Sequence, residues 1–141
     1  MALRLNPYLV MNGNAQEAVA FYRQALGAEV LHLTTFGEMP PDPAHPIPEA
    51  LRDRIMHAHL RVGETDLMLS DTFPGQEHQV GNQVTIALHT DDVAAARRIF
   101  DALAAGGRVD MPLQETFWSP AYGQVTDRFG VSWQVNTEKK G

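Results

Sequence analysis

The sequence contains the same pattern of residues twice, with a shift of 79 residues between the copies. Four pairs of matching residues mark the shift: Leu9 and Leu88, Phe21 and Phe100, Gly27 and Gly106, and Val30 and Val109. In each copy a strand pattern precedes one amphipathic helix, and three more strand patterns follow it. A period of this length is too long for a solenoid repeat. We therefore expect two duplicated βαβββ modules.

The first helix is predicted from Ala15 to Leu26, where apolar residues recur with a helical period. Asn14 precedes it as a candidate N-cap, and Glu17 stands three residues further on, which is the spacing of a capping box. Gly27 occupies the place where a left-handed residue ends many helices. The helix is therefore expected to have both a defined start and a defined end.

The second helix is predicted from Asp92 to Ala105, with Thr90 or Asp91 as its N-cap and Gly106 at its end. Eight strand-like segments complete the two modules: Pro7–Met11, Glu29–Thr35, Ile55–Val62, Leu67–Asp71, Val84–His89, Val109–Leu113, Tyr122–Asp127 and Val131–Asn136. Alternation gives several of these strands one apolar face and one mixed polar face. We expect the apolar faces to pack on the helices and the polar faces to line solvent or a concave site.

The composition limits the classes of partner and site. The 141 residues include 44% hydrophobic and 20% charged residues, which is ordinary for one globular domain. No apolar run reaches the ~20 residues of a membrane span, and residues 1–6 lack a signal-peptide pattern. The net charge of −6 disfavours nucleic acid, and the lack of cysteine excludes disulfides and thiolate ligands. We expect a cytoplasmic protein that acts on a small molecule or on a protein partner.

Two segments interrupt the modules. Residues 39–48 contain five prolines, which excludes a helix or a central strand and predicts a loop of the kind that often forms a lid. Residues 73–82 are polar and are interpreted as a linker. Module one then spans about residues 1–72 and module two about residues 83–139 of a single domain.

His57 and His59 are the sharpest indication of a metal site. Two residues apart on one strand, they share a face and lie ~6.5–7 Å apart along the chain. Such a pair chelates a metal if a third ligand arrives from another strand. The alternative is one buried, hydrogen-bonded histidine and one surface histidine. The other four histidines lack ligand spacing and are expected at the surface or in loops: His32, His45, His78 and His89.

Three further features have a structural interpretation beside a functional one. Asp71 follows a strand and is interpreted as a turn cap through its own side chain. Asp127 begins the turn that contains Gly130, a residue suited to positive φ, and is interpreted as structural. The aromatic segment of residues 117–123 is interpreted as a wall of a ligand pocket, as part of a dimer interface or as core.

A set of motifs extends over nearly the whole chain: Asn6-Pro7-Tyr8-Leu9, Asn12-Gly13-Asn14, Ile55-Met56-His57-Ala58, Leu67-Met68-Leu69-Ser70-Asp71, Met111-Pro112-Leu113-Gln114-Glu115-Thr116-Phe117-Trp118 and Thr126-Asp127-Arg128-Phe129-Gly130. Together they resemble PhnB-like proteins, also called the YjdN group. The resemblance places the chain in the vicinal oxygen chelate superfamily, with glyoxalase I, bleomycin-resistance proteins and extradiol dioxygenases. It implies an α+β fold in which two paired βαβββ modules form curved mixed sheets around a cavity. It also implies a homodimer.

The enzymes of that superfamily use a divalent metal held by His, Glu or Gln on the first and last strands of each module. The corresponding positions here are Asn6 or Pro7, Thr85, Met68 or Ser70, and Gln134. Of these, only the amide of Gln134 is a candidate ligand. The usual ligands are also lost in the superfamily's antibiotic-binding members, which sequester a ligand without transforming it.

Three interpretations of function follow. The first is a small-molecule binding protein without the usual metal ligands, whose pocket is lined by Tyr8, His57, Trp118, Tyr122 and Gln134. The second is a lyase, isomerase or dioxygenase that binds a divalent metal at a relocated site formed by His57, His59 and Gln134. The third is a protein-interaction module that uses residues 39–48. The sequence leaves open whether the protein is an enzyme and which residues would be catalytic.

Overall fold

A computed structural model of the chain describes residues 3–139. The chain divides into two compact units, one ending at Gln79 and the other beginning at Val80. The first unit contains strand β1 (Tyr8–Met11), helix α1 (Ala15–Leu26), strands β2 (Glu29–Thr35), β3 (Ile55–Val62) and β4 (Thr65–Asp71), and 3₁₀ turns at Phe36–Glu38 and Glu49–Leu51. The second contains β5 (Ile86–Thr90), α2 (Val93–Ala104), β6 (Arg108–Gln114), β7 (Tyr122–Thr126) and β8 (Ser132–Thr137). Each unit has the predicted order βαβββ, which confirms the α+β fold class.

Each unit builds one four-stranded mixed sheet, and the two sheets have equivalent strand orders. The orders are β1-β4-β3-β2 and β5-β8-β7-β6. In both, the first strand of the module runs parallel to the last, and the other neighbours are antiparallel. Both sheets are open. The shared order is what a duplicated module predicts, whereas the grouping of both modules into a single domain stays a prediction.

Helix α1 has the predicted bounds but a different N-terminal partner. Asn14 makes no side-chain capping bond, so the predicted capping box with Glu17 is wrong. The Asp71 carboxylate instead accepts the Ala15 N–H at 2.9 Å. A carboxylate distant in sequence therefore occupies the place beside the first turn, where an anion is also favoured by the helix dipole. The helix ends as predicted, because Gly27 has the left-handed φ of 66° that a C-cap of this type requires.

Helix α2 begins at its own cap, one residue later than predicted. Asp92 is the N-cap, and its side chain accepts the Ala94 N–H at 3.2 Å. The prediction of Thr90 or Asp91 in this role is therefore wrong. Thr90, two residues before Asp92, supports the start of the helix, since its hydroxyl accepts the N–H of Asp92 at 3.3 Å. Beyond the end of the helix, Gly106 adopts the expected positive φ, 77°.

The helices pack on one face of their own sheets. In the first unit, Ala58, Leu60 and Leu69 are completely buried on that face. In the second unit, Phe100 approaches β7 so closely that a Cβ atom at Gly123 would stand 2.7 Å from its ring. This close approach explains why the strand carries glycine at that position.

Two buried carboxylates organise the ends of the sheets. Asp71 is 1% exposed and joins the start of α1 to the start of β3, because its second oxygen accepts the Ile55 N–H at 2.9 Å. Its interpretation as a turn cap is therefore wrong. Asp127 has the predicted structural role: it accepts N–H groups within its own turn and the indole N–H of Trp133 at 2.9 Å. Gly130 in that turn has a φ of 85°.

Within residues 3–139, neither helix is both long enough and apolar enough to cross a membrane.

Candidate functional site

Each sheet has a second face, opposite its helix, that carries mixed polar and aromatic side chains. Strand alternation and the observed register define this face. On the first sheet it carries Tyr8, Val10, His32, Thr34, His57, His59, Arg61, Asp66, Met68 and Ser70. On the second it carries Ala87, His89, Met111, Gln114, Tyr122, Gln124, Thr126, Ser132, Gln134 and Asn136. Five residues were predicted to line a pocket. Four of them lie on one of these two faces: Tyr8, His57, Tyr122 and Gln134. The fifth, Trp118, lies in the loop before β7.

Tyr8 and His57 form a stacked pair on the first sheet. Their rings are 5.7 Å apart with an interplanar angle of 24°, and the Tyr8 hydroxyl lies 3.2 Å from Nδ1 of His57. They are brought together because β4, which pairs with both strands, lies between β1 and β3. Tyr8 is about half exposed, at 47%. The pair therefore presents an aromatic surface with a hydrogen-bonding edge.

The surroundings of His57 favour the neutral form of its imidazole. Its partial burial lowers the pKa of the imidazole below the usual 6.5, and the neighbouring His32 and His59 lower it further. The His32 ring lies 6.3 Å from that of His57. A neutral imidazole accepts a proton or a hydrogen bond, so His57 is suited to bind a ligand that donates one.

His59 shares the face of His57 but points toward a different partner. Its Nε2 lies 3.2 Å from an oxygen of Asp66, which is almost completely buried. Arg4 and Arg61 also pair with this carboxylate. The hydrogen bond from Arg61 is the main cause that lowers the pKa of Asp66 below its usual 3.8. His59 is thus part of a charged cluster that ties the N-terminal segment to β3 and β4.

On the second sheet, Trp118, Tyr122 and Gln134 form a continuous chain of contacts. The Trp118 ring lies edge-on to that of Tyr122, with centroids 5.2 Å apart. The Tyr122 hydroxyl donates to Oε1 of Gln134 at 2.6 Å and accepts from Nε2 of Gln124 at 3.1 Å. The amide of Gln134 in turn donates to the Thr85 hydroxyl at 2.7 Å. An aromatic wall therefore stands beside polar groups whose orientation is fixed by hydrogen bonds.

The sequence matches the profile of a known protein superfamily over both βαβββ units. The profile of the Glyoxalase/Bleomycin resistance protein/Dioxygenase superfamily matches residues 4–135. The chain belongs to this superfamily. It is 40% identical over 142 residues to Protein YjdN of Escherichia coli strain K12, with 96% of each chain covered. The predicted relationship to PhnB-like proteins of the YjdN type is thereby confirmed.

Two solved structures show the same fold as this chain. Protein PA1353 from Pseudomonas aeruginosa is 43% identical, with a TM-score of 0.87 and coverage of 99% of this chain and 100% of that one. The second is the PhnB protein from Bacillus cereus, described as a putative 3-demethylubiquinone-9 3-methyltransferase. It is 21% identical, with a TM-score of 0.77 and coverage of 96% and 99%. At that identity the second comparison supports the fold alone.

The positions that the resemblance to this superfamily assigns to metal ligands carry poorly suited side chains here. In the second module these positions are Thr85 and Gln134, which hydrogen-bond to each other. The Gln134 oxygen, the atom that would bind a metal, already accepts from Tyr122. In the first module the positions include Met68, a thioether, and Ser70, which is buried. Divalent metal ions in proteins are usually held by carboxylate oxygens and imidazole nitrogens, so this donor set does not fit one.

The structure separates the predicted site residues into two groups. Tyr8 and His57 lie in the first unit, and Trp118, Tyr122 and Gln134 in the second. Among residues 3–139, no three His, Cys, Asp or Glu side chains are placed to share a metal ion. The relocated site of His57, His59 and Gln134 stays a prediction, with its histidines on the first sheet and its amide on the second.

The sequence analysis did not predict two side chains that lie beside these site residues, His32 and Gln124. His32 is exposed, as predicted, but it also lies on β2 opposite His59. The pairing of β2 with β3 was needed to place it there, because an irregularity between Val30 and His32 interrupts the simple alternation of β2. Gln124 was missed for the same reason, because only the register of β7 with β8 places it opposite Gln134.

Proposed function

We propose that this superfamily member binds a small organic molecule through aromatic and amide side chains, in place of a metal ion at the superfamily's usual positions. The contact chain from Trp118 through Tyr122 to Gln134 carries this proposal. Small-molecule sites combine apolar and aromatic walls with a few fixed polar groups. The contact chain supplies both, and its polar end occupies the positions where a metal would otherwise be held.

The details of the contact chain suit a flat ligand. Trp118 is 46% exposed, whereas Tyr122 is only 8% exposed, so a half-exposed indole lies edge-on against a buried ring. An aromatic side chain offers a large contact area and has few rotatable bonds to immobilise on binding. Gln124 and Gln134 are held by the Tyr122 hydroxyl. They are therefore oriented before a ligand arrives.

On the first sheet, Tyr8 and His57 are proposed separately as ligand contacts. Their stacked rings add aromatic surface, and the neutral imidazole accepts a hydrogen bond from a ligand hydroxyl or N–H. This assignment predicts that a ligand with a donor group binds more tightly than the same molecule with that group methylated.

The proposal is tested by thermal-shift screening of planar aromatic and antibiotic-like compounds against the untagged protein. A ligand that binds only the folded state raises the melting temperature by mass action. For a hit, Trp118→Ala should weaken binding about tenfold, the usual cost of losing a central aromatic contact. Leu31→Ala is the matched control, because Leu31 is 45% exposed, like Trp118, and lies on β2, outside the contact chain. Equal effects of the two substitutions would contradict the assignment.

A metal analysis decides between this proposal and the metal-dependent alternative. We expect substoichiometric metal after purification without an affinity tag, and no stabilisation by Ni²⁺, Zn²⁺, Mn²⁺ or Fe²⁺. Stoichiometric metal that is lost in both His57→Ala and His59→Ala would instead support a lyase, isomerase or dioxygenase with a relocated site. We further propose that the protein is a cytoplasmic homodimer. Sedimentation equilibrium, which measures the mass of the assembly, tests whether it is a dimer.

A further inference from the structure

A cavity of about 710 Å³ lies in the first unit, beneath the proline-rich loop. It is formed by Phe36, Gly37, Met39, Pro40, Pro41, Asp42, Pro43, His45, Pro46, Ile47, Arg52, Phe73 and Pro74. None of these residues belongs to the polar face that carries Tyr8 and His57. The volume falls within the range of about 300–1,000 Å³ that is typical of small-molecule sites.

The floor of this cavity, which we call the loop cavity, is aromatic. Phe36 is 1% exposed, and the half-exposed Phe73 lies edge-on to it with ring centroids 5.6 Å apart. Phe73 follows β4, and Phe36 follows β2. The two strands thus deliver their aromatic rings to the same place. A large aromatic side chain that stays half exposed beside a cavity is a ready contact surface for an apolar ligand.

The walls of the loop cavity are held in place before any ligand binds. At one end, Glu38 accepts hydrogen bonds from the backbone and the hydroxyl of Thr35, at 3.3 and 3.0 Å. The Gly37 N–H donates to the Arg52 carbonyl at 2.8 Å, which joins the two 3₁₀ turns. Five prolines fix φ along residues 39–48. Since little conformational freedom remains to be lost, the cost of ordering this wall on binding is small.

The charges of the loop cavity favour an anionic group at one position. Asp42 is satisfied at the rim, where its two oxygens accept from the Ala44 N–H at 3.0 Å and pair with His45 at 3.1 Å. Arg52 is less completely paired. Its Nη2 donates to the Gly37 carbonyl at 3.1 Å, and its Nε lies 3.9 Å from the exposed carboxylate of Glu49. A guanidinium has five N–H donors, so most of its capacity remains for an acceptor in the cavity.

We propose that the loop cavity is a second ligand site, which takes a small molecule with a flat apolar body and one anionic group. The body lies against Phe73 and the prolines, and the anion receives hydrogen bonds from Arg52. This site is distinct from the polar sheet faces of the proposed function. It also gives the proline-rich loop a role as the wall of a small-molecule site instead of a surface for a protein partner.

The experiment uses two fluorescent probes that differ in charge. One is 8-anilinonaphthalene-1-sulfonate, and the other is the uncharged N-phenyl-1-naphthylamine. We expect the sulfonate to bind the full chain. Its dissociation constant should rise about tenfold or more in Arg52→Gln, because the substitution removes a charge-assisted hydrogen bond to the sulfonate. The affinity for the uncharged probe should change little in that variant. Phe73→Ala should weaken both probes.

Matched controls and the location of the bound probe make the test decisive. Arg98→Gln removes the same charge from the exposed surface of α2, and Phe117→Ala removes an exposed aromatic ring elsewhere. Both should bind the sulfonate like the parent chain, and far-UV circular dichroism checks that every variant is folded. Amide NMR shifts should be concentrated in residues 36–52 and 73–74. Absence of sulfonate binding, an equal loss in Arg98→Gln, or shifts confined to the Tyr8 and His57 face would overturn the proposal.

Discussion

The link made by Asp71 leads to the sharpest prediction about stability. Its two oxygens accept the N–H groups of Ala15 and Ile55, each at 2.9 Å. Both of these residues are 0% exposed, so water cannot replace the carboxylate if it is removed. Each such charge-assisted bond contributes about 1.5–3 kcal/mol. The favourable position at the N-terminus of α1 adds roughly 0.3–1 kcal/mol.

We therefore expect Asp71→Ala to lower the free energy of unfolding by about 4 kcal/mol, a large part of the 5–15 kcal/mol of a typical domain. Asp71→Asn keeps one oxygen as an acceptor and should lose about half as much, roughly 2 kcal/mol. Asp92→Ala is the matched control. The hydrogen bond by which Asp92 caps α2 is exposed to solvent, and loss of an exposed N-cap costs about 1 kcal/mol.

Urea unfolding followed by far-UV circular dichroism, at one fixed protein concentration, measures these differences. Hydrogen exchange should locate the loss of protection at the start of α1 and at the start of β3. If Asp71→Ala costs no more than Asp92→Ala, the buried carboxylate does not hold these elements together and the reasoning fails.

Two further predictions concern packing and titration. Gly123→Ala should cost about 1–3 kcal/mol because the added methyl meets the Phe100 ring at 2.7 Å, whereas Gly81→Ala, in open space, should be neutral in the same urea assay. A smaller effect at Gly123 than at Gly81 would refute the packing argument. The pKa of His57 in the folded protein is lowered from 6.5. As the pH drops below 6.5, the unfolded chain therefore takes up a proton at His57 before the folded chain does. The free energy of unfolding should fall over this range. NMR titration should show the lowered pKa, and His32→Gln should raise it toward 6.5; an unchanged value would show that His32 does not act on it.

Much of the fold was predictable because it is periodic and local. The 79-residue shift and the helical spacing of apolar residues locate α1 with its observed bounds, and α2 to within a residue at each end. The left-handed cap of α1 at Gly27 was also predictable, since glycine adopts positive φ without strain, whereas α2 ends at Ala105 with extended backbone and Gly106 follows it. In contrast, the N-cap of α1 was mispredicted, because Asp71 is 56 residues from Ala15 and no local pattern indicates that contact.

The candidate site shows the same division. The sequence indicated that His57 and Gln134 lie on polar strand faces, since alternation is enough to assign a face. It did not indicate that Tyr122 would hold the Gln134 oxygen, nor that His59 would be directed toward Asp66. Those contacts depend on which strands are neighbours and in what register, and both are set when the strands pair.

The sequence by itself determined the duplicated βαβββ order, the superfamily and the faces on which the candidate residues lie. Tertiary structure alone decided the Tyr8–His57 stack, the Asp71 link and the cavity beneath the proline-rich loop. The physical reason is the range of the forces involved. Backbone preferences and periodic burial act over a few residues, whereas these contacts join residues that become neighbours only when sheets and loops assemble.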